Sequence, residues 1–378
     1  MTGSLTLSKF MYETIAAATT NQLPISSVCN AQCFFCSNKM NPFPIYREGF
    51  RPLEDIKKGI TLLDGNNEIR MGDSLPGRIS EGEALLHPEI FAVLKLVRDK
   101  FPHTSIQIST NGILLTKDFI EKLIPYKPLK FTISYHSDNP GFWCKIFSQK
   151  EDSFKTARAS FFHLLKNGFA IEGAFVPMPG LVGYDDIENT IKNLRMFTKQ
   201  VLVYLPGWSD KVPPAQKKIL DIDFAELSRF MTEMRKKYKI DLHVYPDVLQ
   251  PLSFFPGSVM QESFTAGFKN VLWVFSEAAY EKAKKILAEN VPFVPNEHFA
   301  ALAKNHTYRG NIICSGLLMV DDYRKAIRIA LKEFEEKRIQ IDLILLPQIS
   351  FDRYGDDLKC ENYAKLHEEF NIPVWVRN

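Results

Sequence analysis

The sequence predicts an α/β protein: a partial (β/α)6 barrel of the TIM type, followed by a small C-terminal α/β domain. Strand-like and helix-like segments alternate from about residue 50 to 245, a pattern typical of a parallel sheet with helical crossovers. About six such units are too few for a closed eightfold barrel. A second, shorter series of strands and helices follows residue 305.

Each predicted element rests on the spacing of its apolar residues. Helices are expected where these recur every three or four positions, as at Ile56 and Ile60. Strands are expected where apolar runs stop at turn residues, as before Thr110-Asn111-Gly112. The barrel elements predicted in this way are helix Pro52–Leu63, strand Arg78–Ser80, helix Pro88–Lys100, strand Ser105–Ser109, helix Thr116–Leu123, strand Leu129–Ser134, helix Ser153–Leu165, strand Ala170–Val176, helix Asp185–Phe197, strand Val201–Leu205, helix Phe224–Tyr238 and strand Asp241–Tyr245.

The domain boundaries follow from the same alternation. Residues 1–245 are assigned to the barrel, 246–304 to a connecting segment and 305–378 to the small α/β domain. The connecting segment is interrupted by Pro, Phe and Gly, and its clearest predicted helices are Glu277–Ala288 and Asn296–Ala303. The small domain is predicted to contain strand Asn311–Ser315, helix Asp321–Lys337, strand Asp342–Leu346, helix Glu361–Phe370 and strand Pro373–Val376. Because its strands are apolar throughout and its predicted helices are few, we expect it to dock on the barrel or on the connecting segment.

Composition and charge narrow the class of protein. Hydrophobic residues make up 45% of the 378 residues, which allows a sizeable core. The formal net charge of +3 disfavours a nucleic-acid partner and a polybasic membrane anchor. No apolar run approaches the ~20 residues that a membrane span needs, and the N-terminus lacks the pattern of a secretory signal. We therefore expect a cytoplasmic protein with no membrane partner.

Three cysteines are crowded into the stretch VCNAQCFFCSNK, at Cys29, Cys33 and Cys36. Thiolates are the usual ligands of iron–sulfur clusters, and one short loop with this spacing can reach three corners of a [4Fe–4S] cube. One iron is then left without a protein thiolate, so it can bind an outside ligand. The pattern favours a catalytic cluster over one that only transfers electrons.

Other interpretations of these cysteines stay open. A structural zinc site needs four protein ligands, and a distant residue could complete it, although the nearest histidine in sequence is His87. Disulfides are disfavoured by the odd number and tight spacing, and a purely structural role for three buried thiols is also disfavoured. The other cysteines, Cys144, Cys314 and Cys360, are scattered and form no second cluster motif.

The complete pattern, C-x3-C-x-aromatic-C with Phe35 in the aromatic position, resembles the radical SAM superfamily. The resemblance implies that Cys29, Cys33 and Cys36 bind a [4Fe–4S] cluster whose fourth iron is chelated by S-adenosylmethionine. It implies reductive cleavage of S-adenosylmethionine to methionine and a 5′-deoxyadenosyl radical, which removes a hydrogen atom from a substrate. It also implies sensitivity to oxygen and a reducing partner such as flavodoxin or ferredoxin.

The resemblance extends to the residues expected around S-adenosylmethionine. Residues 80–84, SEGEA, resemble the Gly-Gly-Glu-Pro motif of the superfamily, which contacts the amino group of the cosubstrate. Gly82 and Glu83 are kept, whereas Glu81 and Ala84 replace the first glycine and the proline. The further cofactor-binding residues that it implies are Ser109, Asn111, Ser134, His136 and Val176.

The C-terminal stretches NHTYRGNIICSGLLMVDDY, IDLILLPQI and NIPVWVRN resemble a domain of unknown function that follows the radical SAM domain in a group of bacterial and archaeal proteins. Many of these also carry an N-terminal PDZ domain, which we do not expect ahead of Cys29. The substrate is expected to be a small molecule or a peptide, and no catalytic side chain is identified. An iron–sulfur carrier or redox sensor without radical chemistry, and an RNA-modifying radical SAM enzyme, remain as alternatives.

Overall fold

Six parallel strands form one sheet in the order β1-β2-β3-β4-β5-β6. The computed structural model describes residues 20–40, 49–74, 80–245, 256–290, 295–352 and 354–377. Among these residues, β6 does not pair with β1, so the predicted partial barrel is confirmed. The strands are β1 (Ile69–Met71), β2 (Ile106–Thr110), β3 (Leu129–Ser134), β4 (Ala170–Phe175), β5 (Gln200–Tyr204) and β6 (Asp241–Tyr245).

The start of the sheet differs from the prediction. Most of Arg78–Ser80 lies outside the described residues, and the first strand is Ile69–Met71. A three-residue strand is too short to show a periodic pattern. Extended residues just before the cysteines run beside it, with the Leu23 N–H donating to the Arg70 carbonyl at 2.8 Å. The cysteine loop therefore starts from the edge of the sheet.

The crossover helices cover a single face of this sheet, because sequential parallel strands joined by right-handed crossovers place every crossover on the same side. At Gly173 on β4, a Cβ would lie 3.0 Å from Cδ2 of Leu194 in α7, so the strand approaches its helix closely. The helices are α1 (Ser37–Met40), α2 (Leu53–Thr61), α3 (Ile90–Lys100), α4 (Lys117–Leu123), α5 (Pro140–Phe147), α6 (Glu151–Lys166), α7 (Pro179–Leu194), α8 (Pro214–Leu220) and α9 (Phe224–Tyr238). Three of these helices, α1, α5 and α8, were not predicted.

The two faces of the sheet differ in polarity. Residues alternate between faces along each strand, and those turned to the helices are apolar and buried, such as Ile108, Phe131 and Val203. The opposite face, which we call the inner face, is mostly polar. The strand residues of the inner face are Arg70, Gln107, Ser109, Lys130, Thr132, Ser134, Ala170, Glu172, Ala174, Gln200, Leu202, Tyr204, Asp241, His243 and Tyr245.

The chain divides into two compact units, Met1–Tyr245 and Pro246–Asn378. The second unit contains a parallel sheet of four strands in the order β10-β9-β7-β8. Its strands are β7 (Asn270–Ser276), β8 (Glu297–Ala303), β9 (Leu343–Pro347) and β10 (Val374–Arg377). Its helices are α10 (Gly257–Thr265), α11 (Tyr280–Asn290), α12 (Val320–Glu336) and α13 (Ala364–Phe370).

Several expectations for this second unit are wrong. Asn296–Ala303 is a strand rather than a helix, because pairing with β7 along its whole length outweighs the helix preference of its alanines. Asn311–Ser315 is not a strand but the approach to a short 3-10 turn at Ser315–Leu317. The segment 246–304, expected to be a connection, contributes β7 and β8 to the same sheet as β9 and β10.

The second unit has apolar cores on both faces of its sheet. On one face, Leu272 and Val274 pack with helices α12 and α13. On the other, Val271 and Trp273 pack with α10 and α11. This explains why its strands are apolar along their whole length. Within the described part of the chain, no helix has the length and hydrophobicity needed to cross a membrane.

Candidate functional site

The loop that carries Cys29, Cys33 and Cys36 is fixed by the end of helix α5. The Gln32 N–H donates to the Phe147 carbonyl at 3.0 Å, and the Phe34 N–H donates to the Ile146 carbonyl at 3.0 Å. These carbonyls are available because the last carbonyls of a helix have no partner within it. Helix α5, which was not predicted from the sequence, therefore fixes the backbone of the cysteine loop through its last carbonyls.

The three thiols lie close enough to influence one another. Burial raises the pKa of Cys29 to about 11, and burial followed by the charges of Cys36 and Cys29 raises the pKa of Cys33. A cationic group is needed to hold such thiols as thiolates. The described residues contain no group of three His, Cys, Asp or Glu side chains spaced as ligands of a single ion. A cubane cluster uses a wider set, since each thiolate binds a different iron, and this donor set fits it.

The Gly82–Glu83 segment pairs with the chain that leads into the cysteine loop. The Gly82 N–H donates to the Ser26 carbonyl at 2.7 Å, and the Glu83 N–H donates to the Val28 carbonyl at 2.9 Å. A Cβ on Gly82 would lie only 2.2 Å from the Val28 oxygen. Glycine is therefore required for this close approach, and the pairing connects the predicted cosubstrate motif to the cysteines.

The Glu83 carboxylate is buried and points at the carboxyl end of β2. It accepts hydrogen bonds from the Thr110 hydroxyl at 2.7 Å, the Asn111 N–H at 2.8 Å and the Leu85 N–H at 3.4 Å. Burial raises its pKa to about 7, and no cationic side chain is among the groups that shift it. A carboxylate has about four acceptor positions, so one remains for the amino group of a ligand.

The two departures from the family motif have local explanations. The Glu81 carboxylate accepts hydrogen bonds from the Ile25 N–H at 3.1 Å and the Ser26 N–H at 3.3 Å, so it holds the segment before the cysteines. Ala84 is the first residue of a 3-10 turn, Ala84–Leu86. A proline is tolerated at the first position of a helix, so the proline of the family motif would fit this turn as well.

Asn111 connects the end of β2 to the cysteine loop. Its side-chain amide donates to Asn30 Oδ1 at 2.6 Å, and Asn30 lies directly after Cys29. The carbonyl of Asn30 also accepts a hydrogen bond from Gln149 at 2.5 Å. Asn111 was predicted from the sequence and Asn30 was not, since an isolated asparagine belongs to no recognisable motif.

Phe35, His136 and Val176 are brought together next to this loop. The ring centroids of Phe35 and His136 lie 4.5 Å apart in an edge-to-face arrangement. His136 Nδ1 accepts a hydrogen bond from the Val176 N–H at 2.9 Å, and burial lowers the pKa of His136 to about 3. Burial therefore favours the neutral imidazole, whose Nδ1 accepts from the Val176 backbone.

Ser109 and Ser134 lie on the inner face of the sheet. The Ser109 hydroxyl donates to the Asp73 carboxylate, and Ser134 pairs in register with Ala174. Asp73 was not predicted. Another missed residue is Gln216, at the start of α8, whose side chain donates to the Phe34 carbonyl. Neither carries a sequence signal, because each is an isolated polar residue in a loop or short helix.

Comparisons with known proteins found a matching family and several similar proteins. The model of the radical SAM superfamily matches residues 23–210, about half of the chain. The FeMo cofactor biosynthesis protein NifB of Chlorobaculum tepidum is 25% identical over 128 residues, which is 33% of this chain and 30% of that protein. NifB of Methanocaldococcus jannaschii is 28% identical over 125 residues, 31% of this chain and 40% of that protein. The chain thus matches about a third of the length of these curated relatives.

Solved structures with similar folds include two that contain the cosubstrate. The crystal structure of Streptococcus suis SuiB bound to S-adenosylmethionine has a TM-score of 0.48 and 14% identity, covering 75% of this chain and 58% of SuiB. Native anSMEcpe with bound AdoMet and a Cp18Cys peptide has a TM-score of 0.43 and 14% identity, covering 65% of this chain and 66% of that one.

Members of the matched family use a [4Fe–4S] cluster and S-adenosylmethionine. The matched residues include the three cysteines, Gly82 and Glu83, and all of strands β1 to β5. Through residues 23–210, the chain belongs to the radical SAM superfamily of enzymes.

Proposed function

We propose that this protein uses a [4Fe–4S] cluster to cleave S-adenosylmethionine reductively and to abstract a hydrogen atom from a small-molecule or peptide substrate. The observation that carries this proposal is the backbone pairing of Gly82 and Glu83 with Ser26 and Val28. This pairing places a buried carboxylate with a spare acceptor position beside the cysteine loop. It is the arrangement needed to hold an amino group next to an iron that lacks a protein thiolate.

In this proposal, Cys29, Cys33 and Cys36 are the three cluster ligands. Glu83 accepts hydrogen bonds from the amino group of S-adenosylmethionine, and Gly82 permits the close approach of the backbone. When bound, the reduced cluster supplies the electron that cleaves the cosubstrate and yields the hydrogen-abstracting radical. The other residues proposed to line the cosubstrate are Phe35, Ser109, Asn111, Ser134, His136 and Val176.

The protein side chains orient and shield the reacting groups. Asn111 fixes the start of the cysteine loop through Asn30, and Phe35 with His136 forms a close aromatic contact beside it. Because His136 is buried and neutral, it brings no competing charge to the site. These contacts support exclusion of water and oxygen from the radical.

A cytoplasmic reductase such as flavodoxin or ferredoxin is the proposed electron donor. The chain matches NifB over about a third of NifB's length, so the activity of that relative is not part of this proposal. The proposed substrate is a small molecule or a peptide.

The test is anaerobic reconstitution of the wild type, Cys33→Ala and Cys144→Ala. We expect iron and sulfide close to four each per chain in the wild type and in Cys144→Ala, and loss in Cys33→Ala. Reduced wild-type protein should convert S-adenosylmethionine to 5′-deoxyadenosine. A stable cluster without any cleavage would instead support an iron–sulfur carrier or sensor, and stoichiometric zinc without sulfide would reject the cluster.

A further inference from the structure

Three short helices meet the cysteine loop. Phe34, between Cys33 and Cys36, contacts two of them through its backbone. Its N–H donates to the Ile146 carbonyl at the end of α5, and its carbonyl accepts a hydrogen bond from the Gln216 side chain near the start of α8. The third helix, α1, follows Cys36 directly. Helices α1, α5 and α8 therefore border the same loop.

The cysteine loop itself reaches the protein surface. Gln32, between Cys29 and Cys33, is exposed, and its carbonyl accepts a hydrogen bond from the Ser148 hydroxyl at 3.3 Å, just after α5. Cys29 is exposed as well. In the proposed function, an electron must enter from outside the protein and reach the group that these cysteines hold. Because electron transfer slows steeply with distance, the exposed loop is the expected point of entry.

The charged residues of this part of the surface are all lysines. We use the name loop surface for residues 29–40, 140–149 and 214–220, which contain no aspartate and no glutamate. Its charged residues are Lys39, Lys145, Lys217 and Lys218. All four are exposed, and within the described part of the chain none of them forms an ion pair with a carboxylate. The loop surface is therefore uniformly basic.

Elsewhere the two signs of charge are mixed. The whole chain has 47 basic and 44 acidic residues. The segment ahead of α8 carries one of each sign, Asp210 and Lys211. The first acidic residue after α5 is Glu151, which lies 3.3 Å from Lys155 and is neutralised by it. A partner that meets the loop surface should therefore be acidic, because complementary charge steers encounter and fixes orientation.

We propose that the loop surface is the docking site of a small acidic electron-carrier protein. This rests on the proposed function and gives its electron donor a place on the chain. The reduced carrier gives up one electron at this surface and leaves in its one-electron-oxidised form, and no covalent bond forms or breaks in the exchange. The lysines attract and orient the acidic face of the carrier, and the exposed loop lets its redox group approach the cysteines.

Charge and position favour this partner over a nucleic acid. A nucleic acid would also be attracted by lysines, but its binding sites typically contact several phosphates through both arginine and lysine. The loop surface has four charged residues and no arginine. Lysine is a compact, strongly hydrated charge, and contacts between exposed charges are readily screened by salt. Such contacts suit a carrier that must bind briefly and leave.

The inference is tested by anaerobic calorimetry with the full chain in its cluster-loaded form and an acidic flavodoxin as the probe. We expect the flavodoxin to bind and a basic cytochrome c, the charge control, not to bind. Raising the salt concentration from about 50 to about 300 mM should weaken flavodoxin binding about tenfold or more.

Variants identify the surface. Lys145→Glu combined with Lys218→Glu reverses one charge on each of the two helices that contact Phe34, and should weaken flavodoxin binding about tenfold. Lys122→Glu is the matched control and should leave binding unchanged. It also reverses an exposed lysine in the last turn of a helix, α4, but lies outside the loop surface. Should the double variant fail to fold, each single substitution should weaken binding about threefold.

The inference is overturned if the flavodoxin does not bind, or if the double variant binds it as tightly as Lys122→Glu does. A single-stranded RNA oligomer that binds more tightly than the flavodoxin, and loses affinity in the double variant, would also overturn it by assigning the surface to nucleic acid. Formation of 5′-deoxyadenosine with photoreduced 5-deazariboflavin, a small neutral reductant, reports separately on the proposed function. Cleavage with this reductant but no flavodoxin binding would reject only the docking site, and flavodoxin binding without cleavage would reject only the radical chemistry.

Discussion

Replacing Gly82 with alanine gives a sharp test of how the site is built. The added Cβ would lie 2.2 Å from the Val28 oxygen, 2.5 Å from the Val28 carbonyl carbon and 2.7 Å from the Ser27 carbonyl carbon. All three are backbone atoms, so no side chain can rotate away to make room. The backbone of Gly82 or that of Ser27 and Val28 must therefore move. Val28 is followed directly by Cys29, so the change reaches the cysteine loop.

The expected cost follows from the contacts that this movement breaks. The hydrogen bonds from Gly82 to Ser26 and from Glu83 to Val28 measure 2.7 and 2.9 Å, and each contributes about 0.5–1.5 kcal/mol net. Forcing an extra methyl group into a packed site typically costs about 1–3 kcal/mol. Allowing for overlap between these terms, we expect Gly82→Ala to lower the stability of the first unit by roughly 2–4 kcal/mol.

Native-state hydrogen exchange on the cluster-free protein measures this directly, because it resolves the amides of Gly82 and Glu83. Gly49→Ala is a matched control. Gly49 also contacts the segment before the cysteines, accepting a hydrogen bond from the Ser27 N–H at 3.1 Å, but no atom lies within 4 Å of its added Cβ. The control should change stability by no more than about 0.5 kcal/mol. Equal protection of these amides in both variants and the wild type would refute the close approach.

Three further predictions address the site and the second unit. Because burial lowers the pKa of His136 to about 3, its neutral form contributes stability that is fully present above the unfolded pKa of ~6.5 and is lost as the pH falls toward 3. In urea unfolding of the cluster-free protein, this residue should therefore contribute about 2 kcal/mol less stability at pH 5 than at pH 7. His136→Gln should remove that difference, because a glutamine side chain can still accept a hydrogen bond from the Val176 N–H but does not titrate. If the variant and the wild type show the same pH dependence, this assignment to His136 is wrong. Glu83→Ala should keep the cluster but weaken S-adenosylmethionine binding by roughly 1.5–3 kcal/mol, and unaltered affinity in calorimetry would exclude this carboxylate from the cosubstrate site. Ending the chain before Asn305 removes β9, the partner of β7, so residues 256–303 should become sensitive to limited proteolysis; resistance equal to that of the full chain would show that β7 and β8 are stable alone.

The barrel strands could be predicted because each carries a local signal. Leu129–Ser134 and Asp241–Tyr245 match their predicted bounds, since short β-branched or apolar runs end there at turn or proline residues. The strand Glu297–Ala303 could not be predicted in this way. Its sequence is rich in alanine, and only pairing with the distant β7 makes it extended.

The same distinction applies to the candidate site. The cysteine spacing and Gly82–Glu83 can be read from the sequence, because the chemistry needs those residue types within a short stretch. Asp73 and Gln216 acquire a role only through contacts with Ser109 and Phe34, from other parts of the chain. Isolated polar residues of this kind are assigned a role by tertiary structure alone.

The two apolar cores of the second unit have a consequence for what happens when oxygen destroys a cluster. Both faces of its sheet are covered by its own helices, with Val271 and Leu272 on opposite sides. Its folding free energy therefore does not depend on a metal group, unlike that of small metal-nucleated domains. After oxidative damage this second unit, about a third of the chain, should remain native. Repair would then not require refolding of residues 246–378.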